Sequence, residues 1–506
     1  MSYPPLGGNA PEAIDLGRLI HEEDGISNKI RYPGERHLLV VGTNGCGKGT
    51  RILLPNLLNM RGARSLVVVD PKGELAAVSV PFRAFVGRVA VLNPFGVLTD
   101  RVGFEDMVSV GCNPLIGLNP MSQNFNSDAG LLAEAMIPVE SKGENRHFDL
   151  SARSLVTALI MWVVIEGMKF RRVPTIARVR ELLCSENAAP NRLNDFNGKG
   201  LPLLAREMMK SENAGLSNLA SQFTEWNKEI QSIVSTAKTA TVCFDDPQIA
   251  DDLAKPGLDW REIKREPTTV YLILPPQMME RHSKWLRLML TSALNASMRA
   301  REAGEPRILF MLDEFAALGH LKIIETVWAL VRGYGIQIMP VLQDLNQLKS
   351  LYEQRWETFL GNAGAAVFFA PNDATTAAWL ETRLGNTTRM VTTSSTSEST
   401  NTGENTGEGG SWGPSGGSSS SNVGRSFGQS HSSSSNTAPV KVPLLTARQL
   451  HGLKPGELWL VMAGKADAAK VFAPHYFNIG DRTKRARVNP YFQPVPRRLA
   501  LPAGGG

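Results

Sequence analysis

Short apolar runs punctuate this chain at intervals, each followed by a longer stretch of mixed polarity. The first runs from His37 to Val41, the second from Ser65 to Asp70 and the third from Val89 to Leu92. Later come Val270 to Leu274, Arg307 to Leu312, Ile336 to Leu342, Ala365 to Phe369 and Glu457 to Met462. None alternates strictly with polar residues. Continuous apolar runs of four to seven residues suit strands covered on both faces, the condition of a parallel sheet flanked by helices. The predicted class is therefore α/β with a central, mostly parallel sheet, and a ligand belongs at the carboxyl ends of its strands.

The pattern changes between residues 122 and 250. Strand-like runs fade and helical spacing dominates, which predicts an all-α domain inserted into the α/β fold. Residues 391–440 are rich in Ser, Thr, Gly and Asn; too little apolar surface is present to offset the entropy of ordering, so a flexible loop is expected. The expected organisation is an irregular, polar extension over 1–35, then the α/β domain in three parts, 36–121, 251–390 and 441–481. The all-α insertion interrupts its first two parts, the loop precedes the final strands, and residues 482–506 form a basic disordered tail.

Composition narrows the classes. The chain has 506 residues, 42% hydrophobic and 20% charged, as expected of a globular protein with a large core. Cys46, Cys112, Cys184 and Cys243 are scattered without metal-ligand spacing and read as reduced thiols. The start lacks a signal peptide's basic and apolar regions. The longest apolar candidate, Leu155 to Ile165, is too short to cross a bilayer and reads as a buried helix. Net charge is +6, which permits nucleic-acid contact without requiring it. Arg153, Lys169, Arg171 and Arg172 in the helical stretch, and Lys484, Arg485 and Arg487 near the end, are the basic residues placed to meet phosphates or an acidic partner.

The chemistry concentrates at strand ends. Gly42-Thr43-Asn44-Gly45-Cys46-Gly47-Lys48-Gly49-Thr50 follows the first strand and precedes a probable helix. Glycines at this spacing let a loop curl so that its amides surround a phosphate chain, with the helix's positive end behind them and Lys48 reaching the terminal phosphates. Cys46 serves as a small filler in that loop. Asp313 and Glu314 end a buried strand, a costly place for two acids unless a cation sits there. Asp313 is the expected Mg²⁺ ligand and Glu314 the group that orients and deprotonates the attacking water. Gln343 ends the next strand, where an amide can sense the terminal phosphate or place the water. Asp70-Pro71-Lys72-Gly73-Glu74 lies at another strand end and faces the nucleotide or a neighbouring subunit.

These blocks together resemble the type IV secretion coupling proteins, the TraG/TraD-like ATPases of conjugation. The resemblance rests on the glycine loop at 42–58, DPKGEL at 70–75, CNPL at 112–115, LDEFAALGHL at 312–321, LQDLNQLKSLY at 342–352, NDATTAAWLETRLGNTT at 372–388 and VPLLTARQLHGL at 442–453. It implies a RecA-like P-loop motor domain with an all-α domain, assembled as a hexameric ring that hydrolyses ATP with Mg²⁺. Implied partners are DNA, single-stranded and with its relaxase, or secreted proteins, together with inner-membrane components of the secretion channel; the implied location is the cytoplasmic face of the bacterial inner membrane. By position Lys48, Asp313, Glu314 and Gln343 match the family's catalytic set. Arg332 falls where this family places an arginine acting on the next subunit's nucleotide.

Two features depart from expectation. Gly49 stands where most phosphate loops carry Ser or Thr, a position at which coupling proteins often carry Gly, and Thr50 is about 100° further round the helix. The family's amino-terminal membrane anchor is not seen, which leaves an anchor on another polypeptide, peripheral docking or a shortened form as alternatives. Two other readings compete with the motor: a nucleotide-gated adaptor with little hydrolysis, and a soluble DNA-pumping ATPase unconnected with secretion.

Overall fold

The computed structural model describes residues 12–21, 25–61, 64–139, 145–184, 200–298, 302, 304–330, 333–411, 414, 418–443, 445–465 and 468–492. It divides into two compact units, residues 1–377 with 448–506, and residues 378–447.

The larger unit is organised by an eleven-stranded sheet in the order β2-β1-β13-β12-β9-β3-β8-β7-β4-β6-β5. Seven strands form its parallel part: β3 (Leu38–Val41), β4 (Arg64–Val69), β5 (Arg88–Leu92), β6 (Thr268–Leu272), β7 (Arg307–Leu312), β8 (Ile336–Leu342) and β9 (Ala365–Phe368). The apolar runs thus become the strands expected of them. On one face Val40, Val68, Met311 and Met339 join a core with Leu53 and Leu57 from the segment after the glycine loop and with Leu75 and Val78 from the helix Glu74–Val86. The alternate residues Leu39, Val67, Phe310 and Ile338 are buried as well. Covering both faces removes the need for polar alternation.

Antiparallel strands extend the sheet beyond β9: β12 (Glu457–Met462), β13 (Ala469–Phe472), β1 (Ile14–His21) and β2 (Gly25–Tyr32). The segment expected to be irregular therefore contributes a hairpin. Ile14 and Leu16 point into the core, while Gly17, at φ +116°, lies so close to β13 that a Cβ would sit 2.7 Å from Phe472 O. Asp15 between them is buried too; its carboxylate pairs with the buried Arg482, and its backbone bonds Asn56 in both directions at 2.7 and 2.9 Å. A charged residue at that position makes the strand look polar until its partner, 467 residues away, is in place.

The basic tail also differs from expectation as far as Phe492. After β13 the chain forms the helix Gly480–Arg485 and runs along the core. Arg485 donates to Leu58 O at 2.9 Å, and Arg487 to Ala77 O at 2.6 Å and to Asp106 at 2.8 Å. Both side chains are thus engaged by the fold instead of trailing in solvent. Residues 493–506 lie outside the described residues.

Between β5 and β6 the described residues contain helices and no strand. The longest helix, Asn145–Phe170, corrects the expectation that nothing here reaches membrane length: its stretch Arg146–Phe170 is long and apolar enough to cross a bilayer by length and composition. Its apolarity has another use, since Leu155, Val156, Leu159, Ile160 and Val163 are buried against neighbouring helices. Arg153 on the same helix donates to Ile137 O at 2.6 Å, whereas Lys169, Arg171 and Arg172 are exposed.

The smaller unit holds a two-stranded antiparallel ribbon, β10 (Asn386–Ser411) with β11 (Ser418–Pro443), where a flexible loop was expected. Its side chains from Ser394 to Gly409 and from Val423 to Ser435 are exposed. Facing hydroxyls link the strands, Ser395 to Ser434 at 2.9 Å and Ser397 to Ser432 at 2.8 Å. Cross-strand Ser and Thr pairs of this kind support a ladder without any apolar face.

Strand register has an electrostatic consequence. β4 and β7 pair Val69 with Leu312, so the next residues, Asp70 and Asp313, end adjacent strands side by side. Asp70 is buried, and loss of water pushes its carboxyl up to about 8; an N–H bond from Ala76 at 2.8 Å opposes this, and the charge of Asp313 adds to it.

Two outcomes are expected. Arg482→Met leaves Asp15 charged and unpaired in the core and should destabilise the fold by about 3 kcal/mol; an unchanged urea midpoint would remove this pair from the framework. The folded chain keeps a proton on Asp70 that the unfolded chain releases near pH 4, so stability is lost as pH rises from about 4 to 8. Asp70→Asn should flatten the fall in thermal midpoint between pH 6 and 8, and an equally steep fall in the variant counts against Asp70 as its source.

Candidate functional site

The glycine loop leaves β3 at Gly42, whose N–H donates to Leu342 O at 3.0 Å, anchoring the loop between β3 and β8. Gly42 is packed so tightly that a Cβ would meet Cys46 Sγ at 2.7 Å and Phe369 at 2.8 Å. Gly45 and Gly47 have φ of +78° and +97°, a region that side chains disfavour. The loop feeds directly into a helical segment in which Leu54 N–H donates to Gly49 O, five residues back, before ordinary α-helix resumes at Leu54–Leu57. Lys48 folds over the loop, its Nζ donating to the carbonyls of Gly42 and, at 3.3 Å, of Thr43. Cys46 is half-buried against the apolar core, and burial raises its thiol above the usual range, as a filler requires.

The two acids end β7. Asp313 is pushed up to about 6 by burial and by the charge of Glu314; Lys48 and Lys72 pull in the other direction. Glu314 has φ 58° and ψ 45°, the left-handed region, uncommon for a residue with a side chain. Its carboxylate faces Gln343, with Nε2 to Oε2 at 3.5 Å, a distance at the outer limit of hydrogen bonding. Arg287 holds the following turn by donating to Leu318 O at 2.6 Å and His320 O at 3.0 Å.

Thr43, Asn44, Gly45, Gly47, Lys48, Gly49 and Thr50 line one cavity of about 1090 Å³ together with Asp313 and Glu314. Residues more than 260 positions apart in sequence therefore line the same cavity. Gln343 stands behind Glu314 rather than on the cavity wall. Arg332 lies outside the described residues. Asp70, Lys72 and Glu74 are also on the wall, so the segment that faced either a nucleotide or a neighbouring subunit opens onto this cavity.

Sequence reasoning missed another wall, made by the chain returning after β13. His475, Tyr476, Phe477, Arg487, Asn489 and Phe492 line it. His475 Nδ1 lies 2.9 Å from Thr50 Oγ1. Asn489 donates to Glu74 at 2.8 Å, and the Tyr491 hydroxyl to Lys72 O. No local motif signals these residues, because their role depends on the strands that carry them back to the loop.

Such an arrangement can hold a polyanion at the loop and a cation beside the acids. Known proteins agree with that frame. Residues 6–409 match the family described as type IV secretory system conjugative DNA transfer. A conjugal transfer protein TraG from Escherichia coli is 26% identical over 401 residues, covering 74% of this chain and 59% of that protein. VirD4 from Agrobacterium fabrum is 27% identical over 359 residues, covering 70% and 50% respectively. The chain thus spans little more than half the length of these relatives. Among solved structures, the plasmid coupling protein TrwB bound to a non-hydrolysable ATP analogue superposes with a TM-score of 0.59 at 15% identity, over 93% of this chain and 97% of that one. TrwB with ADP and Mg²⁺ gives 0.55 at 16% identity, over 93% and 96%. These likenesses establish the RecA-like P-loop fold, and with the match over residues 6–409 they identify the chain as a member of the type IV secretion coupling protein family.

Proposed function

We propose that this chain is the ATP-hydrolysing part of a coupling protein that brings a relaxase–DNA complex or protein effectors to a type IV secretion channel and drives their transfer. The observation that carries the proposal is the shared cavity, with the Lys48 loop and the Asp313–Glu314 pair on its wall. The donor set suits Mg²⁺ and ATP. Loop amides and Lys48 supply positive charge for phosphates, and Asp313, disfavoured as an anion by burial, gains from a nearby divalent cation. When bound, Mg²⁺ supplies charge neutralisation at the terminal phosphates. Asp313 would hold the ion, Glu314 take the water's proton and Gln343 steady Glu314. The nucleotide-bound TrwB structures support the ligand class.

Arg332 would act on a neighbouring subunit's nucleotide within a homo-oligomer, a hexamer by family resemblance, at the cytoplasmic face of the inner membrane. Residues 36–121, 251–390 and 441–481 would form the motor. The helical stretch 122–250 would meet cargo, with the exposed Lys169, Arg171 and Arg172 available to phosphates or acidic side chains.

Steady-state ATPase assays with and without single-stranded DNA test the motor. Normal ATP binding with no turnover under either condition would instead indicate the nucleotide-gated adaptor. Genomic neighbours that encode no relaxase or channel subunit would favour the soluble DNA pump. Lys48→Ala should abolish nucleotide binding or hydrolysis, and wild-type turnover in that variant would remove Lys48 from the site. Glu314→Gln should bind ATP normally while losing about 10²–10⁴ in turnover. Arg332→Ala should lower turnover by about 10³–10⁵ without weakening ATP affinity of the monomer. Mixed assemblies in which Arg332→Ala subunits leave wild-type neighbours unimpaired would refute action across the interface.

A further inference from the structure

Part of the lining of the nucleotide cavity is aromatic and has no task in phosphate chemistry. Lys48, Asp313 and Glu314 are charged parts of its lining, while Tyr476, Phe477, Val488 and Phe492, interspersed with Arg487 and Asn489, add apolar and aromatic surface. Phe477 is 46% exposed and Phe492 66%. An exposed apolar side chain alone signifies little. Phe477 differs in being built into a fixed assembly. Its ring stacks on His475 with centroids 4.7 Å apart and planes 11° from parallel, and the Tyr476 ring meets it edge-on at 5.3 Å. His475 Nδ1 in turn lies 2.9 Å from the hydroxyl of Thr50, two residues after Lys48.

The backbone below this assembly is held as well. Thr483 Oγ1 donates to Phe477 O at 2.9 Å, and Asn478 N–H to His475 O at 3.0 Å. Arg482, one residue before Thr483, is locked to Asp15 in the core. The ring pair is thereby tied at one end to the phosphate loop and at the other to the sheet.

We infer that the His475–Phe477 stack is the base-binding platform of this site, receiving the nucleotide's heterocyclic ring against the open face of Phe477. The inference rests on the nucleotide reading of the cavity. A ligand with a polyanionic tail and a flat aromatic head matches both kinds of lining at once. A preformed aromatic face binds a base without having to order a flexible side chain. Thr50 joins the two functions, because its hydroxyl holds the platform while its backbone belongs to the loop.

Isothermal titration of the full chain in Mg²⁺, with ATP and separately with inorganic tripolyphosphate, tests this. Phe477→Ala should weaken ATP by about tenfold and leave tripolyphosphate unchanged. Phe477→Leu, which keeps bulk without an aromatic face, should lose a comparable factor, and Phe477→Trp should restore binding. Thermal unfolding of each variant checks that it folds, and the Leu variant carries the test should the Ala variant be unstable. ATP affinity within twofold of wild type in a folded Phe477→Leu protein overturns the platform, as does equal weakening of both probes, which would mark a disturbed loop. Wild-type protein that binds neither probe defeats the nucleotide reading itself, and the platform with it.

Discussion

Everything at the site depends on charge balance along one edge of a parallel sheet. Parallel pairing brings the carboxyl ends of β3, β4, β7 and β8 to the same edge, so Lys48, Asp70, Asp313 and Gln343 meet whatever their distance in sequence. Asp70 and Asp313 end adjacent strands, and both are held above the usual carboxylate range by burial. Two such acids side by side are unfavourable as anions in a poorly hydrated place. Lys48 and Lys72 offset part of that cost. A divalent cation offsets more, which is why a site of this construction gains affinity for metal-bound phosphates.

The chain end completes the edge. Basic residues that resemble a solvated tail instead clamp the core. Arg482 neutralises Asp15, Arg485 caps the Leu58 carbonyl at the end of the segment following the loop, and Arg487 binds the helix Glu74–Val86. That clamp carries His475 and Phe477 to the phosphate loop. The residues that fasten the returning chain to the core therefore also position its aromatic side chains beside the loop.

The α/β class, the parallel strands, the glycine loop and the acidic pair were legible because each has a local signature. Runs such as Leu66-Val67-Val68-Val69 report burial on two faces, and Gly45 and Gly47 report backbone angles that other residues disfavour. The hairpin of β1 and β2 was illegible because Asp15 breaks its apolar pattern, and the cation that neutralises it, Arg482, comes from 467 residues away. The helix Asn145–Phe170 was undervalued for a similar reason. His147, Asp149 and Arg153 hide a length that the continuous helix reveals. In the Ser-rich ribbon, composition argued for disorder while alternating hydroxyls supplied a ladder.

By itself, the order of residues determined which segments can wrap a phosphate, which can hold a cation and which must be buried, because those demands act on a few neighbours at a time. Tertiary structure alone decided that Asp70 would stand beside Asp313, that Gln343 would stand behind Glu314, and that Phe477 would share a cavity with Lys48. Those relations follow from strand register and from a chain end returning across hundreds of residues. Pairing energy of that kind belongs to the assembled sheet and leaves no mark in any short stretch of the chain.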